Sequence, residues 1–315
     1  MKRIILDCDP GIDDSLAILF ALKSPALQVD AVTAVSGNLP AERAAANILK
    51  TLDIIDAPPI PVAVGMNKPL VRPYPADPFS HGEDGLGETG LPASARPLDA
   101  RFAPDLLVDM VNEAPGEITI LASGPLTNIA LAVMKDPSFA QKVKHIYFLG
   151  GAYGFNEYAY TFATGDNPVS EWNVYVDPEA ARQVFHSSIP FTAIGGDVFA
   201  HPDINLHETH VEMLRAAGNR ESRYMLDLLN FVTGRGFLSY CILIDSLCVA
   251  AALDEAVLQT RQIHVDVETR GALTLGQTVV DTRANFRWSH LPRIEAAYSA
   301  DFEKFLRLLV ETIAA

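Results

Sequence analysis

Residues 6–17 read LDCDPGIDDSLA, and this stretch decides the expected fold because a strand, a turn and a helix start meet in it. The apolar run before it predicts a first strand at residues 3–7. Pro10 and Gly11 predict a turn. Residues 13–22 predict a helix with acids in its first turn, where the helix dipole favours them. Four aspartates therefore crowd around one turn: Asp7, Asp9, Asp13 and Asp14.

Short β-rich runs alternate with helix patterns along most of the chain. This alternation predicts an α/β fold with a Rossmann-like, mostly parallel sheet and helices on both faces. No repeat or linker divides the chain, so we expect one domain over residues 1–315. The predicted strands are residues 3–7, 29–35, 61–64, 117–122, 145–149, 191–194, 262–268, 278–281 and 294–298. The predicted helices are residues 13–22, 40–55, 126–134, 178–186 with Asp177 as N-cap, about 203–234, 246–254 and 301–313.

Two long loops interrupt the alternation, at roughly 66–100 and at 150–172. The first contains HGEDGLGETGLP and therefore His81, but neither of the glycine patterns that cradle phosphate occurs in it. The second carries five aromatic residues and ends in SEWN. Loops of this length in a domain are usually functional or disordered, and the aromatic residues favour function.

Composition excludes several classes of protein. The formal net charge is −15, with 39 acidic residues against 24 Lys and Arg, which argues against a nucleic-acid partner. Three cysteines without a CxxC pair give little support to a zinc or disulfide framework and fit a reducing compartment. We see no signal-peptide pattern, and no apolar run approaches the ~20 residues of a membrane span. The expected location is the cytoplasm, with no membrane partner.

Polar side chains follow the ends of several predicted strands. In an open parallel sheet, ligands bind beyond the carboxyl ends of the strands. Besides the aspartates, that edge collects Asn38, Ser123, Glu171 and Asn173, with almost no Lys or Arg. Such an oxygen-rich set suits Ca²⁺ or Mg²⁺ and the hydroxyl groups of a neutral polyol. Taken singly, Asn38 also fits an ordinary turn, and two of the aspartates fit a helix N-terminus.

The stretch DCDPGIDD resembles the N-terminal signature of the inosine-uridine-preferring nucleoside hydrolases. Further matches to that family follow in order along nearly the whole chain: AVSGN, HGEDGLG, ASGPLTNIA, FLGGAY, SEWNVYVDPEAA, IDSL and GQTVVD. The resemblance implies the nucleoside hydrolase fold and hydrolysis of the N-glycosidic bond of ribonucleosides to ribose and free base. It also implies a tightly held Ca²⁺ and assembly as a homodimer or homotetramer.

The resemblance further implies a role for each matching position. Ca²⁺ would bind to Asp9, Asp14, Asp245 and the backbone carbonyl of Ser123. Asp9 would also take a proton from the attacking water, with Asp7 orienting its neighbours. The ribose 2′- and 3′-hydroxyl groups would be held by three side chains, Asp13, Asn38 and Asn173. Glu171 would reach the 5′-hydroxyl group.

The chain departs from the family pattern around the base. Many members have His-Asp where this chain has Ile244 and Asp245, so the acid that protonates the leaving base is unidentified. Trp172, between Glu171 and Asn173, resembles a purine-specific branch and suggests a purine leaning. We hypothesise that stacking activates the base, with candidates Tyr158, Tyr160, Phe162 and Tyr240. His81 is a weaker candidate acid, and either Asp166 or Asn167 of GDNP is expected at the 5′-hydroxyl group.

Two alternatives compete with this interpretation. The start of the motif, DCDPG, also resembles the nucleophile motif of haloacid-dehalogenase phosphatases. That motif wants Thr or Val where Gly11 stands, and it needs a phosphate-pairing Lys that the strand ends do not offer. The second alternative is a ribose- or Ca²⁺-binding relative that has lost turnover, since the usual histidine is absent.

Overall fold

A computed structural model describes residues 1–76, 80–161, 165–285, 287–288 and 290–315. Within these residues the strands are β1 Lys2–Cys8, β2 Leu27–Ala34, β3 Val62–Val64, β4 Ile118–Ala122, β5 His145–Leu149, β6 Phe191–Ile194, β7 Leu258–Val267, β8 Thr278–Val280 and β9 Arg293–Ala300. They form one nine-stranded sheet with the strand order β3-β2-β1-β4-β5-β6-β9-β7-β8. Neighbouring strands from β3 through to β9 pair in parallel, and β7 alone runs antiparallel to the other described strands, between β9 and β8.

Helices cover both faces of the sheet, as the sequence predicted. The described helices are α1 Ile12–Lys23, α2 Ala41–Ile54, α3 Ala103–Glu113, α4 Thr127–Lys135, α5 Phe139–Lys142, α6 Trp172–Val176, α7 Pro178–Phe185, α8 Gly196–Phe199, α9 Glu208–Ala217, α10 Arg220–Gly234, α11 Ser246–Leu253 and α12 Phe302–Ala314. Buried side chains of α1, α2 and α9 to α12 form one core layer, and those of α3, α4, α5 and α7 form the other. None of these helices is both long and apolar enough to cross a membrane.

The central strands are buried on both faces, which explains their unbroken apolar sequences. Every residue of β4 is buried, and so are the last five residues of β1. Strands covered by helices on both sides read as continuous apolar runs rather than as alternating ones. The strand β1 has β2 on one side and β4 on the other, so the chain order reverses at β1. Such a reversal opens a crevice at the carboxyl ends of the strands.

Several features differ from the expected elements, among them the short helices α5 and α8, which were not predicted. Helix α3 was not predicted, although Leu106, Leu107 and Val111 give it a buried face. The helical region expected at about 203–234 is two helices, because Gly218 adopts a left-handed conformation with φ 59° and ends α9. The expected loop at 150–172 passes directly into the short helix α6. The candidate Phe162 lies outside the described residues.

Candidate active site

A cavity of about 500 Å³ opens at the crevice beside β1. Many of the residues around it follow the carboxyl ends of β1, β2, β4 and β5, where the sequence analysis expected the site. Three predicted residues, Asp7, Asp9 and Asp14, are fully buried and are not part of the cavity surface. Nine predicted residues line it: Asp13, Asn38, His81, Ser123, Glu171, Trp172, Asn173, Tyr240 and Asp245.

The turn after β1 fixes the two aspartates that begin α1. The Gly11 N–H donates to Asp14 Oδ2 at 3.1 Å, and the Ser123 hydroxyl donates to Asp14 Oδ1 at 2.6 Å. The Asp14 N–H donates to Asp13 Oδ1 at 3.1 Å. Burial, and then the charge of Asp13, raises the pKa of Asp14 to about 7. The start of α1 therefore holds the Asp14 carboxylate beneath the cavity and the Asp13 carboxylate in its wall.

Asp9 lies between two glycines that leave room for its side chain. The Asn38 N–H donates to Asp9 Oδ2 at 2.6 Å, whereas Asp9 Oδ1 is buried with no hydrogen-bond partner in the described part of the chain. A Cβ atom on Gly37 would lie 1.9 Å from Asp9 Oδ2, and one on Gly124 would lie 2.7 Å from Oδ1. Burial, reinforced by Asp14, raises the pKa of Asp9 well above its usual value. A buried carboxylate oxygen without a donor calls for a positive partner.

Asp7 connects the strands beneath the site. Its Oδ1 accepts from the Thr33 hydroxyl at 2.6 Å and from Asn128 Nδ2 at 2.8 Å. Burial raises the pKa of Asp7 to about 7. Sequence analysis did not assign a role to Thr33 or Asn128. Thr33 reaches Asp7 because β1 and β2 pair, and Asn128 reaches it from a helix more than a hundred residues further along the chain. Asp7 is therefore placed to hold the segment that carries Asp9.

Asp13, Asp14 and Asp245 form a cluster that fits a metal ion. Each offers one oxygen, and the three oxygens lie within 4.8 Å of one another. Burial, and then the charges of Asp13, Asp14 and Asp9, raises the pKa of Asp245 well above its usual value. Oxygen donors of this kind suit a hard divalent cation. The predicted ligand Asp9 is not one of the three clustered residues, although its charge acts on Asp245 and its Oδ1 is buried without a partner among the described residues. The predicted ligands Asp14 and Asp245 are thus brought together, with Asp13 as the third member.

Helix α6 begins at the wall of the cavity. The Glu171 carboxylate caps the helix, accepting from the N–H groups of Asn173, Val174 and Gly151 at 2.9, 3.2 and 2.9 Å. Burial outweighs these bonds and raises the pKa of Glu171 to about 7. Asn173 Nδ2 donates to the carbonyls of Ser123 and Leu149 at 2.7 and 2.9 Å. Asn173 therefore has its Oδ1 left to accept from a ligand.

A large part of the cavity wall is apolar. Ile244, next to Asp245, belongs to this part, and Tyr240 is the one stacking candidate among the described residues that lines the cavity. His81 Nδ1 accepts from the Ile12 N–H at 3.3 Å and lies 3.7 Å from Asp13 Oδ1. Sequence analysis did not identify several other wall residues. Ile12 was not singled out because it is an apolar residue within the acidic motif, and the others come from segments distant in sequence: Phe199, Val232, Phe237 and Cys241.

Other candidates of the 150–172 loop lie away from the cavity surface. Asn167 Nδ2 donates to the Leu275 carbonyl at 3.0 Å, and its Oδ1 accepts from the Val169 N–H at 3.1 Å. The Tyr158 ring packs edge-on against His201, with ring centres 4.8 Å apart. Tyr160 and Asp166 are exposed. Of the loop residues that the structure describes, Glu171 and Trp172 therefore reach the cavity.

Comparison with known proteins gives a consistent set of relatives. The family model for inosine-uridine preferring nucleoside hydrolase matches residues 4–307. An inosine-uridine preferring nucleoside hydrolase of Leishmania major is 36% identical, over 99% of this chain and 97% of that protein. The pyrimidine-specific ribonucleoside hydrolase RihA of Salmonella agona is 36% identical, over 98% and 97%.

Solved structures agree with the sequence comparison. The plant nucleoside hydrolase PpNRh1 is 34% identical, with a TM-score of 0.87 over 100% of this chain and 99% of that one. A purine-preferring ribonucleoside hydrolase from Gardnerella vaginalis is 30% identical, with a TM-score of 0.87 over 99% and 98%. The relatives differ in the bases that their names specify.

Proposed function

This chain belongs to the inosine-uridine preferring nucleoside hydrolase family and hydrolyses ribonucleosides to ribose and base, and we propose that its aspartate cavity does so with Ca²⁺. The observation that carries the proposal is the buried, unpartnered Asp9 Oδ1 beside the aspartate cluster. Asp9, Asp14, Asp245 and the Ser123 carbonyl would hold the cation. Family membership also removes the phosphatase alternative.

When bound, the cation lowers the pKa of water at the site and orients the ribose diol. Asp9 would receive a proton from the water that attacks C1′, because its buried Oδ1 has no hydrogen-bond partner among the described residues. The Oδ2 atom of Asp7 is unpartnered too, but the other oxygen of Asp7 is bonded to Thr33 and Asn128 beneath the site. Asp7 acts through its bonds to Thr33 and Asn128, which keep β1 in place beneath Asp9.

The remaining polar residues position the sugar. Asp13, Asn38 and Asn173 accept from or donate to the 2′- and 3′-hydroxyl groups, and Glu171 bonds to the 5′-hydroxyl group. All four line the cavity. Cleavage of the glycosidic bond builds positive charge on the ribose, as in other glycoside hydrolyses. Carboxylates held in a buried site stabilise that charge more than solvent would.

The base occupies the apolar end, and we propose a purine leaning among neutral nucleosides. Trp172 in the wall supports it, together with an apolar surface large enough for a fused ring. Tyr240 is the candidate to contact the base, and His81, beside Asp13, is the candidate acid. Replacing His81 by Ala is expected to slow inosine hydrolysis. An unchanged rate would exclude His81 as the acid that protonates the base.

A reducing-sugar assay over inosine, adenosine, uridine and cytidine tests the proposal. The protein is refolded with a strong calcium chelator, then assayed before and after Ca²⁺ is restored. We expect ribose release that depends on Ca²⁺, with higher kcat/KM for the purines. Calorimetric binding of nucleoside without ribose release would instead identify a relative that has lost turnover. Equal or better turnover of uridine contradicts the purine leaning.

We also propose a cytoplasmic homodimer or homotetramer. Three free thiols, two of them buried, suit a reducing compartment. Large apolar side chains are exposed in the region that follows β7, including Leu273 at 82% and Trp288 at 55% exposure, and a second copy would cover them. Light scattering after gel filtration is expected to give a mass of two or four chains, and a monomer mass would exclude this assembly.

A further inference from the structure

The sugar end of the cavity is anionic. Asp13 and Asp245 line it, and Asp9 and Asp14 lie buried nearby. A divalent cation would offset two of these four charges when the aspartates are ionised. Of the described residues that line the cavity, none is Lys or Arg. A cleft of one charge sign with low-dielectric walls concentrates ligands of the opposite sign.

The base end combines apolar and aromatic walls. Phe237, Tyr240 and Trp172 line the cavity together with aliphatic side chains. Arg235 contacts the Phe237 ring at 5.8 Å and donates to the Ser80 carbonyl at 3.2 Å, but it does not itself line the cavity. Aromatic rings attract a planar cation through the negative charge on their faces. This end can therefore bind a positively charged base without a buried counter-ion.

The described groups at the base end are poor proton donors. Ile244 carries only carbon beyond its backbone, and burial raises the pKa of the Cys241 thiol to about 11. Burial likewise raises the pKa of the Tyr240 phenol above its usual value. A proton donor is efficient when its pKa lies near the working pH, so Cys241 and Tyr240 assist a neutral leaving base only weakly. This leaves His81, 3.7 Å from Asp13 Oδ1, as the candidate acid among the described residues of the wall, and a base that leaves without a proton does not depend on it.

We propose, on the basis of the function proposed above, that the preferred substrates are N-ribosides whose base carries a formal positive charge, such as pyridinium ribosides. Cleavage of the C1′–N bond returns its electron pair to the ring nitrogen, which becomes neutral and needs no proton. The water oxygen bonds to C1′, and the water proton passes to Asp9 and then to solvent. In the overall reaction, one cationic riboside and one water give ribose, the neutral base and one proton.

The rate test compares three kinds of leaving group on the Ca²⁺-loaded enzyme. Nicotinamide riboside is the cation, inosine and uridine need a proton on the base, and 4-nitrophenyl riboside is neutral but leaves without a proton. We expect kcat/KM for nicotinamide riboside to exceed the values for inosine and uridine by about tenfold or more. Stoichiometric proton release should accompany nicotinamide riboside and not inosine.

The binding test separates charge from intrinsic reactivity. Nicotinamide riboside and its dihydro form have nearly the same shape, but only the first is cationic, and both are measured as competitors of 4-nitrophenyl riboside. We expect the cation to bind about fivefold more tightly or better, with an advantage that shrinks at high salt. Replacing the half-exposed Phe237 by Leu removes one aromatic face. This variant should bind the two nicotinamide forms with more similar affinities than the wild type does.

The outcomes distinguish this inference from the proposed function. Hydrolysis of 4-nitrophenyl riboside, with nicotinamide riboside cleaved no faster than inosine, overturns the inference and leaves the proposed function intact. Equal affinity for the two nicotinamide forms overturns it as well. If none of the ribosides is cleaved in the presence of Ca²⁺, the proposed function itself fails.

Discussion

At the scale of single residues, Gly37 controls the position of Asp9. A Cβ atom at Gly37 would lie 1.9 Å from Asp9 Oδ2, so Gly37→Ala must displace that carboxylate. We expect kcat/KM to fall by about 10²-fold, the usual cost of a misplacement near 1 Å. The matched control is Gly234→Ala, where nothing lies within 4 Å of the new atom and activity should be kept. Equal activity of the two variants would show that Asp9 does not need its present position.

Glu171 gives a prediction for stability against pH. Its pKa is about 7 in the folded protein, against the ordinary glutamate value of 4.5, so the folded protein holds this proton more tightly than the unfolded chain does. Ionisation therefore costs stability as pH rises from about 4.5 to 7, by about 3 kcal/mol at most. Glu171→Gln lacks this titration, so its stability relative to the wild type should rise across that window.

Urea unfolding of both proteins at several pH values, with chelator present, measures that difference. A difference in unfolding free energy that is the same at every pH reflects the altered hydrogen bonds at the start of α6, and it is subtracted before the pH dependence is compared. A difference that stays flat between pH 4.5 and 7 would contradict the raised pKa of Glu171.

The sequence predicted those site residues that follow strand ends or crowd one turn. The aspartates around Pro10 stand out because repelling charges so close together need a cation. Phe199 and Phe237 carry no such local signal, since they become wall residues only when separate segments pack beside the site. Asn167 is the opposite case. The local motif GDNP suggested a contact with the 5′-hydroxyl group, but the Asn167 side chain donates to the Leu275 carbonyl instead.

At the scale of elements, Asp177 joins helix α7 to the loop that carries His81. Asp177 caps α7 by accepting from the Ala180 N–H, and it also accepts from the Leu70 N–H and the Thr127 hydroxyl. Asp177→Ala leaves buried donors unsatisfied, so we expect a loss of about 3 kcal/mol or more in the free energy of unfolding.

Asp301 provides the matched control for that variant. It caps α12 with one bond to the Lys304 N–H and is exposed. Asp301→Ala should cost about 1 kcal/mol, the ordinary value of an N-cap. Denaturant unfolding compares the two variants, and equal losses would show that the loop and Thr127 contacts of Asp177 contribute nothing.

The elements themselves were largely predictable because their signals are local. A few residues of sequence are enough to recognise an apolar strand such as β4 or the start of a helix at an aspartate, as at Asp177 and Asp301. Helix α3 was missed because it follows a long stretch rich in proline and polar residues, with its buried face set by packing against the sheet. The break at Gly218 needs a left-handed backbone, which glycine permits but does not require.

At the scale of the whole molecule, one sheet spans the chain from Lys2 to Ala300, and we infer a single domain. Alternation of strands and helices predicted the fold class, but it could not give the strand order. That order depends on which strand pairs with β1, and it is what brings the ends of β2 and β4 together at one crevice.

Binding of Ca²⁺ should stabilise the entire fold. A ligand that binds only the folded state adds about 2.7 kcal/mol at a hundred times its Kd. We therefore expect the Tm of chelated protein to rise when Ca²⁺ is added. The rise should be lost in Asp14→Asn and kept in Asp109→Asn, where the side chain is exposed. A rise of the same size in both variants would place the bound ion elsewhere.

The most direct test of the account is a crystal structure of the protein grown with Ca²⁺ and ribose. We expect one cation in contact with the carboxylates of Asp9, Asp14 and Asp245 and with the sugar diol, and C1′ directed toward the apolar end. Ribose bound in the cavity with these three carboxylates apart, and with no ion between them, would contradict the account.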